Sequence, residues 1–413
     1  MRIRSTRPTA VASRPQPAVA PRRVCLLIGQ LGLGGAEKQL VLLARGLADR
    51  GVAASVAVIF GGGPREAALH AAGVPVTHLH FPRYSDRAAR RGATGGVNLL
   101  TPARRAWTFA TSTAEAIAGF RRLVALLRAE RPDVLHAFLF HSYVVAAPAS
   151  MLARVPVLVA GRRGLGDRHR ERAFARLLGR VANRSTDFVI ANAHAVARDA
   201  AIAEGLPEAK IATIYNGIPD SAFEPAAPED LDAQGPVIVC VANLHWYKGH
   251  HHLISAVRLL REHELFCTLV LVGDGPERAA LERQAYAMSV DARFLGSRDA
   301  VEPLLSRADV CVLPSLTEGM SNAIMEAMAV GKPIVATDVG GTRELLRGRG
   351  MLVRPGDPRA LAEGLARVLL DPSLGVRLGA EARRWSRENL RLDTMIQRHL
   401  EVYGKLLGDK CAV

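Results

Sequence analysis

The sequence has little cysteine, and what it has is dispersed. Cys25, Cys240, Cys267, Cys311 and Cys411 occur in 413 residues without a Cys-x-x-Cys pair or a Cys/His cluster. That spacing argues against a disulfide framework and against zinc; with Cys25, Cys240 and Cys311 inside apolar runs, it points to buried thiols in a reducing compartment. Long apolar runs are also missing. The best candidate, residues 144–160, is interrupted by Arg154 and two prolines and is too broken to span a membrane. The first 23 residues hold six arginines, no acid and no apolar stretch, so they are no clear secretory signal and read as a disordered basic tail. Acidic residues are outnumbered throughout, 39 Asp and Glu against 54 Lys and Arg, for a formal net charge of +15. Such a surplus favours polyanions, anionic membrane surfaces or phosphorylated substrates, without choosing among them.

What is present is an apolar content of 49%, enough in a chain of this length for two sizeable cores. From Val24 onward, short runs of Val, Ile, Leu and Ala alternate with longer amphipathic segments, the rhythm of an α/β fold with parallel sheets covered on both faces. Strands are expected at 24–29, 52–59, 134–139, 156–160, 187–191 and 211–214, then at 237–242, 268–272, 309–313 and 334–337. Residues 216–236, rich in proline and acids, read as an interdomain linker. The division expected is a tail (1–23), a first domain (24–220) and a second (221–380). A helical segment at about 381–407, with no strand after it, would lie back across the first domain.

Two segments are strongly basic. Residues 82–113 carry six arginines, one aspartate and the pair Trp107 and Phe109; residues 161–184 carry eight arginines against two acids. Both fit solvated surface segments. Together they would also make one wall of the first domain cationic, facing an anionic membrane or an acceptor.

The most informative stretch is "EGMSNAIME", residues 318–326. A strand ends before it in a Pro-Ser turn, Ser321 is placed to cap a short helix, and Gly331 stops that helix. The amides of Gly319, Met320, Ser321 and Asn322 would then form an anion-binding helix entrance at the carboxyl edge of a parallel sheet. Glu318 falls in the turn, while Glu326 falls inside the helix among Ala, Ile and Met. A carboxylate there needs a cation or hydrogen-bond donors: sugar hydroxyls, or an internal partner such as Lys248 or Arg343. Lys248, followed by Gly249 at another strand-turn-helix junction, adds a point charge for phosphate. The strand and Gly-rich turn around Gly34 and Gly35 resemble a dinucleotide fingerprint without matching it.

The ordered series GGAE (34–37), DVLHAF (133–138), NGI (216–218), KG (248–249), VGDGPE (272–277), FLG (294–296), the stretch from Ala308 to Thr337, and GGTREL (340–345) closely resembles retaining glycosyltransferases of the group 1 family, which have the GT-B fold and an E-x7-E motif. The resemblance implies two facing Rossmann-like domains, with a nucleotide-sugar donor on the second and a glycan or lipid-linked acceptor mainly on the first. It implies that Glu318 contacts the donor sugar, Glu326 the ribose and Lys248 the diphosphate, with Gly34 and Gly35 approaching from the opposite domain. His136 and His141 are the candidates beside the reacting sugar. No cofactor and no metal are expected, since Lys248 and the helix amides neutralise the leaving group. No nucleophile is implied either, so front-face substitution is favoured over double displacement.

Two departures stand out. Ala242-Asn243-Leu244 replaces the usual Gly-Arg-Leu, leaving Asn243, His245 or Arg343 to substitute for the arginine, and Phe138 replaces the second histidine of an H-x-H pair. The rivals are a nucleotide-sugar epimerase of related fold and a non-catalytic membrane or polyanion binder, with no nucleic-acid partner implied. Polysaccharide or glycolipid synthesis at the inner membrane face is the expected setting. The motifs specify neither sugar, base nor acceptor.

Overall fold

The computed structural model describes residues 20–82, 102–165, 173–233 and 235–411, with side chains beginning at 113 and 177 in the second and third segments. The tail up to residue 19, residues 83–101 of the Arg-rich insertion, the side chains of Trp107 and Phe109, and residues 166–172 of the second basic run lie outside this description.

The first sheet has seven strands: β1 (Arg23–Gln30), β2 (Ala53–Gly61), β3 (Val76–His78), β4 (Val134–Phe138), β5 (Val157–Arg162), β6 (Phe188–Ala191) and β7 (Ile211–Thr213). Their order is β3-β2-β1-β4-β5-β6-β7, and every pairing is parallel. The second sheet contains β8 (Val237–Val241), β9 (Thr268–Val272), β10 (Ala292–Gly296), β11 (Val310–Leu313), β12 (Ile334–Thr337) and β13 (Met351–Val353), ordered β10-β9-β8-β11-β12-β13 and again parallel. Each sheet is doubly wound, so its central strands are buried on both faces and read as continuous apolar runs. Along β1, Leu26 and Ile28 enter one core while Cys25 and Leu27 enter the other; along β8, Val237 and Val239 part in the same way from Ile238 and Cys240.

The halves are joined by packing as well as by chain. Ala191, Ala193 and Val196 of the first half share a core with Met320, Ile324 and Leu345 of the second. Part of the segment expected to be a linker is pinned. Ile218 donates its amide to Leu390 O (2.7 Å) and accepts from the amide of Leu392 (2.8 Å), and Phe223 is buried. The returning helix Leu392–Cys411 places Met395, Ile396, Tyr403 and Leu407 in a core of the first sheet. Both chain crossings therefore sit side by side. Among the described residues no helix is long and apolar enough to cross a membrane. The five cysteines are free, four of them buried and Cys411 exposed.

Candidate active site

The cleft between the sheets has a volume of about 370 Å³. On the second-sheet side, β11 ends at Leu313, and the chain turns through Glu318 into the helix Asn322–Val330. Ser321 caps that helix, its Oγ accepting from the Ile324 amide at 3.3 Å, and Gly331 closes it in the left-handed region at φ 81°. The free amides at its start therefore face the cleft.

Lys248 reaches this turn because Gly249 adopts φ 70°, where a Cβ would stand 2.1 Å from Pro314 O. Leu316 N also donates to Tyr247 O at 2.8 Å, locking the two turns together. The Lys248 ammonium lies 2.5 Å from Glu318 Oε1, and Ser315 Oγ donates to the same oxygen at 2.8 Å. Glu318 is thus held from two sides and lines the cleft beside Asn243.

Glu326 does have an internal cation, but one that sequence reading did not name. Lys38, on the first-domain helix Gly35–Ala48, donates to Glu326 Oε1 at 2.6 Å across the cleft. Burial raises the Glu326 pKa above its ordinary value, and Lys38 opposes that rise. Lys248 is taken by Glu318, while Arg343 forms an exposed pair with Asp338 away from the cleft lining.

Asn322 serves through its side chain as well. Its Oδ1 accepts from Asn216 Nδ2 (2.9 Å) and Gln39 Nε2 (3.2 Å), and its Nδ2 donates to Gly35 O (3.1 Å). The Gly34-Gly35 turn is thereby tied to the helix entrance, and both glycines line the cleft. Met320 also lines it while reaching into the shared core. On the same interface Glu344 accepts from the amides of His194 and Ala195 at 2.9 and 2.7 Å, capping a first-domain helix.

His136 is a correction. It is fully buried, its Nδ1 is 2.7 Å from Tyr403 Oη, and its ring packs 4.4 Å from Phe138. Strand parity explains this: 134, 136 and 138 share the face of β4 that the C-terminal helix covers. Burial, with His399 and Arg163 nearby, holds its pKa well below the ordinary value of 6.5, so this ring stays neutral and outside the cleft lining. His141 is exposed in the first turn of the helix Leu139–Ala153, edge-on to Phe60 with ring centroids 5.5 Å apart, and also stands outside that lining. Of the substitutes considered for the missing arginine, only Asn243 lines the cleft; His245 stacks on Tyr247 outside it. Three arginines that sequence reading did not name for the site do line it, Arg65, Arg163 and Arg298. Position at a strand end was the available signal for Arg163, which directly follows β5.

Two doubly wound parallel sheets facing one cleft, with a capped helix entrance on one side and a glycine turn on the other, define a GT-B architecture. Residues 34–217 match the family described as "Glycosyl transferase 4-like domain", and residues 235–371 match "Glycosyl transferases group 1". Glycogen synthase of Mycobacterium tuberculosis is 32% identical over 314 residues, 72% of this chain and 75% of that relative. The lipopolysaccharide core biosynthesis glycosyltransferase LpsE of Rhizobium meliloti is 27% identical over 356 residues, covering 84% and 88% of the two chains. Anabaena Alr3699/HepE, solved with UDP and glucose, superposes with a TM-score of 0.74 at 24% identity, over 93% of this chain and all of that one, a likeness of fold. The chain belongs to the group 1 glycosyltransferase family, and it is a glycosyltransferase.

Proposed function

We propose that this enzyme moves a sugar, with retention of configuration and without a metal, from a nucleoside-diphosphate donor to a hydroxyl of a glycan or lipid-linked acceptor. The observation that carries the reading is the grouping of Glu318, Lys248 and the amides before Asn322 on one wall of the cleft, with Gly34, Gly35 and Lys38 opposite. Helix-end amides and a lysine are an anion site suited to a diphosphate. The two buried carboxylates are both engaged by lysines, which favours direct front-face substitution over a carboxylate nucleophile. In that step the acceptor oxygen bonds the anomeric carbon as the bond to the leaving phosphate oxygen breaks. The acceptor proton passes to that phosphate.

Thermal-shift screening of the protein against UDP, GDP and ADP sugars is expected to single out one base, with a rise in melting temperature at saturating donor. Nucleotide should then be released from that donor only when acceptor is present. Epimerised donor formed without acceptor would instead support an epimerase.

The polysaccharide and lipopolysaccharide relatives favour a lipid-linked or polysaccharide acceptor on the cytosolic side, where the free thiols also fit. A basic, apolar surface supports docking to an anionic bilayer: on the helix Ala173–Ser185, Leu177 and Val181 are 57% and 51% exposed, beside exposed Arg180 and Arg184. Co-sedimentation with liposomes should rise with the fraction of anionic lipid and fall on adding salt. Equal binding to zwitterionic vesicles would count against this docking.

A further inference from the structure

We infer that Arg163, from the first domain, supplies the second cation of the diphosphate site, across the cleft from Lys248. The inference rests on the nucleoside-diphosphate donor reading and assigns a residue that the second domain lacks, since Asn243 stands where an arginine would be expected.

Two neighbouring arginines leave β5 with different fates. Arg162 is buried and charge-paired, its guanidinium held by Glu204 at 2.8 Å and by Asn183 at 2.8 Å, with Nη1 alone left without a partner. Arg163 lines the cleft and forms no ion pair among the described residues. Its Nη1 donates to Asn216 Oδ1 at 2.8 Å, its guanidinium lies 4.6 Å over the Phe138 ring, and its Nε is buried without a partner. Burial lowers its pKa to about 10, which still leaves it charged at neutral pH. Of the other cations lining the cleft, Lys38 and Lys248 each already hold a carboxylate, Arg65 feels the charges of Glu37, Asp299 and Glu326, and Arg298 follows β10 on the second domain. Among the described residues Arg163 is therefore a desolvated cation without a paired carboxylate, which is costly unless an anion arrives.

Its backbone fixes where that anion would be. A Cβ on Gly319 would stand 2.3 Å from Arg163 O, so Arg163 is pressed against the turn whose amides open the helix Asn322–Val330. Stacking on Phe138 and the bond to Asn216 orient the planar fork, and a fork is the geometry that matches phosphate oxygens. The same contact makes the site depend on both domains: a diphosphate held by Arg163 and by the helix amides bridges them.

The test is titration calorimetry of the full chain with the diphosphate, monophosphate and free nucleoside of the base that the wild type prefers. Arg163→Gln should weaken the diphosphate at least tenfold while leaving the monophosphate and nucleoside within twofold. Arg163→Lys, which keeps the charge and loses the fork, should fall between; it also serves as the measurement if the glutamine variant does not fold. An unchanged ratio of diphosphate to monophosphate affinity in a folded variant overturns the inference and leaves the donor reading standing. Loss confined to the acceptor KM would reassign Arg163 to the acceptor and likewise overturn it. A wild type that binds none of these nucleotides overturns both.

Discussion

Glu318→Ala will lower kcat by about 100-fold or more, with donor KM changed less than tenfold, because the loss falls on groups oriented at the reacting centre. The carboxylate accepts from Lys248 and from Ser315 on one oxygen, which fixes it in the wall of the cleft. Removing it frees the ammonium and, on the proposed donor reading, takes away an acceptor for sugar hydroxyls. Glu318→Gln keeps the shape and one acceptor oxygen but loses the ion pair, and it should fall between wild type and alanine. Steady-state release of nucleotide in the presence of acceptor, measured for all three proteins, decides the matter. A glutamine variant within twofold of wild type in kcat would show that the charge has no part in the reaction.

The second large effect is on stability. Lys38→Ala leaves Glu326 in the apolar interior without its cation, and breaking a fully buried pair in this way costs about 3–5 kcal/mol. The lysine side chain is 25% exposed, against 9% for Glu326, so a loss of about 2–3 kcal/mol at pH 7 is expected. The pH dependence has a definite sign. Burial raises the folded-state pKa of Glu326 above the value of about 4.5 it has when unfolded. Its contribution to stability is therefore fully present below pH 4.5 and lost as pH rises through the folded pKa. Removing Lys38 raises that pKa further and extends the loss to higher pH. The deficit of Lys38→Ala should accordingly shrink as the solution is acidified toward 4.5, where Glu326 takes up a proton. Urea unfolding at several pH values measures this, and Lys38→Ala combined with Glu326→Gln should recover most of the loss at pH 7. A deficit that is the same at every pH would mean that lost packing, not the orphaned carboxylate, is responsible.

The central strands were legible in the sequence because doubly covered strands are apolar throughout. β1, β2, β4, β5, β6, β8, β9, β11 and β12 all fall on such runs, and β7, an edge strand, was read as well. β3, β10 and β13 were not read as strands. Each lies at the outer edge of its sheet, and all of them are only half-buried, so nothing in their composition separates them from loop. The helix from Asn322 to Val330 was legible down to its ends, since a serine cap and a left-handed glycine are local signals. The carboxylate turn and the lysine turn were also legible on one sheet edge, but the sequence pointed Lys248 to phosphate or to Glu326, not to the Glu318 it meets.

What the sequence by itself determined is the class of fold, the elements that carry the site and the residue types on the second-domain wall. It did so because periodicity, capping and turn chemistry act over a few residues. Only the tertiary structure decided the partners. Lys38 meets Glu326 over 288 positions, Tyr403 closes over His136 from 267 positions away, and Arg163 meets Gly319 only when the two sheets face each other. Burial and charge pairing across a cleft depend on which surfaces come together. In one strand they turned a candidate catalytic histidine into a core residue, and directly after another they left an arginine of a basic run in the site with no ion pair among the described residues.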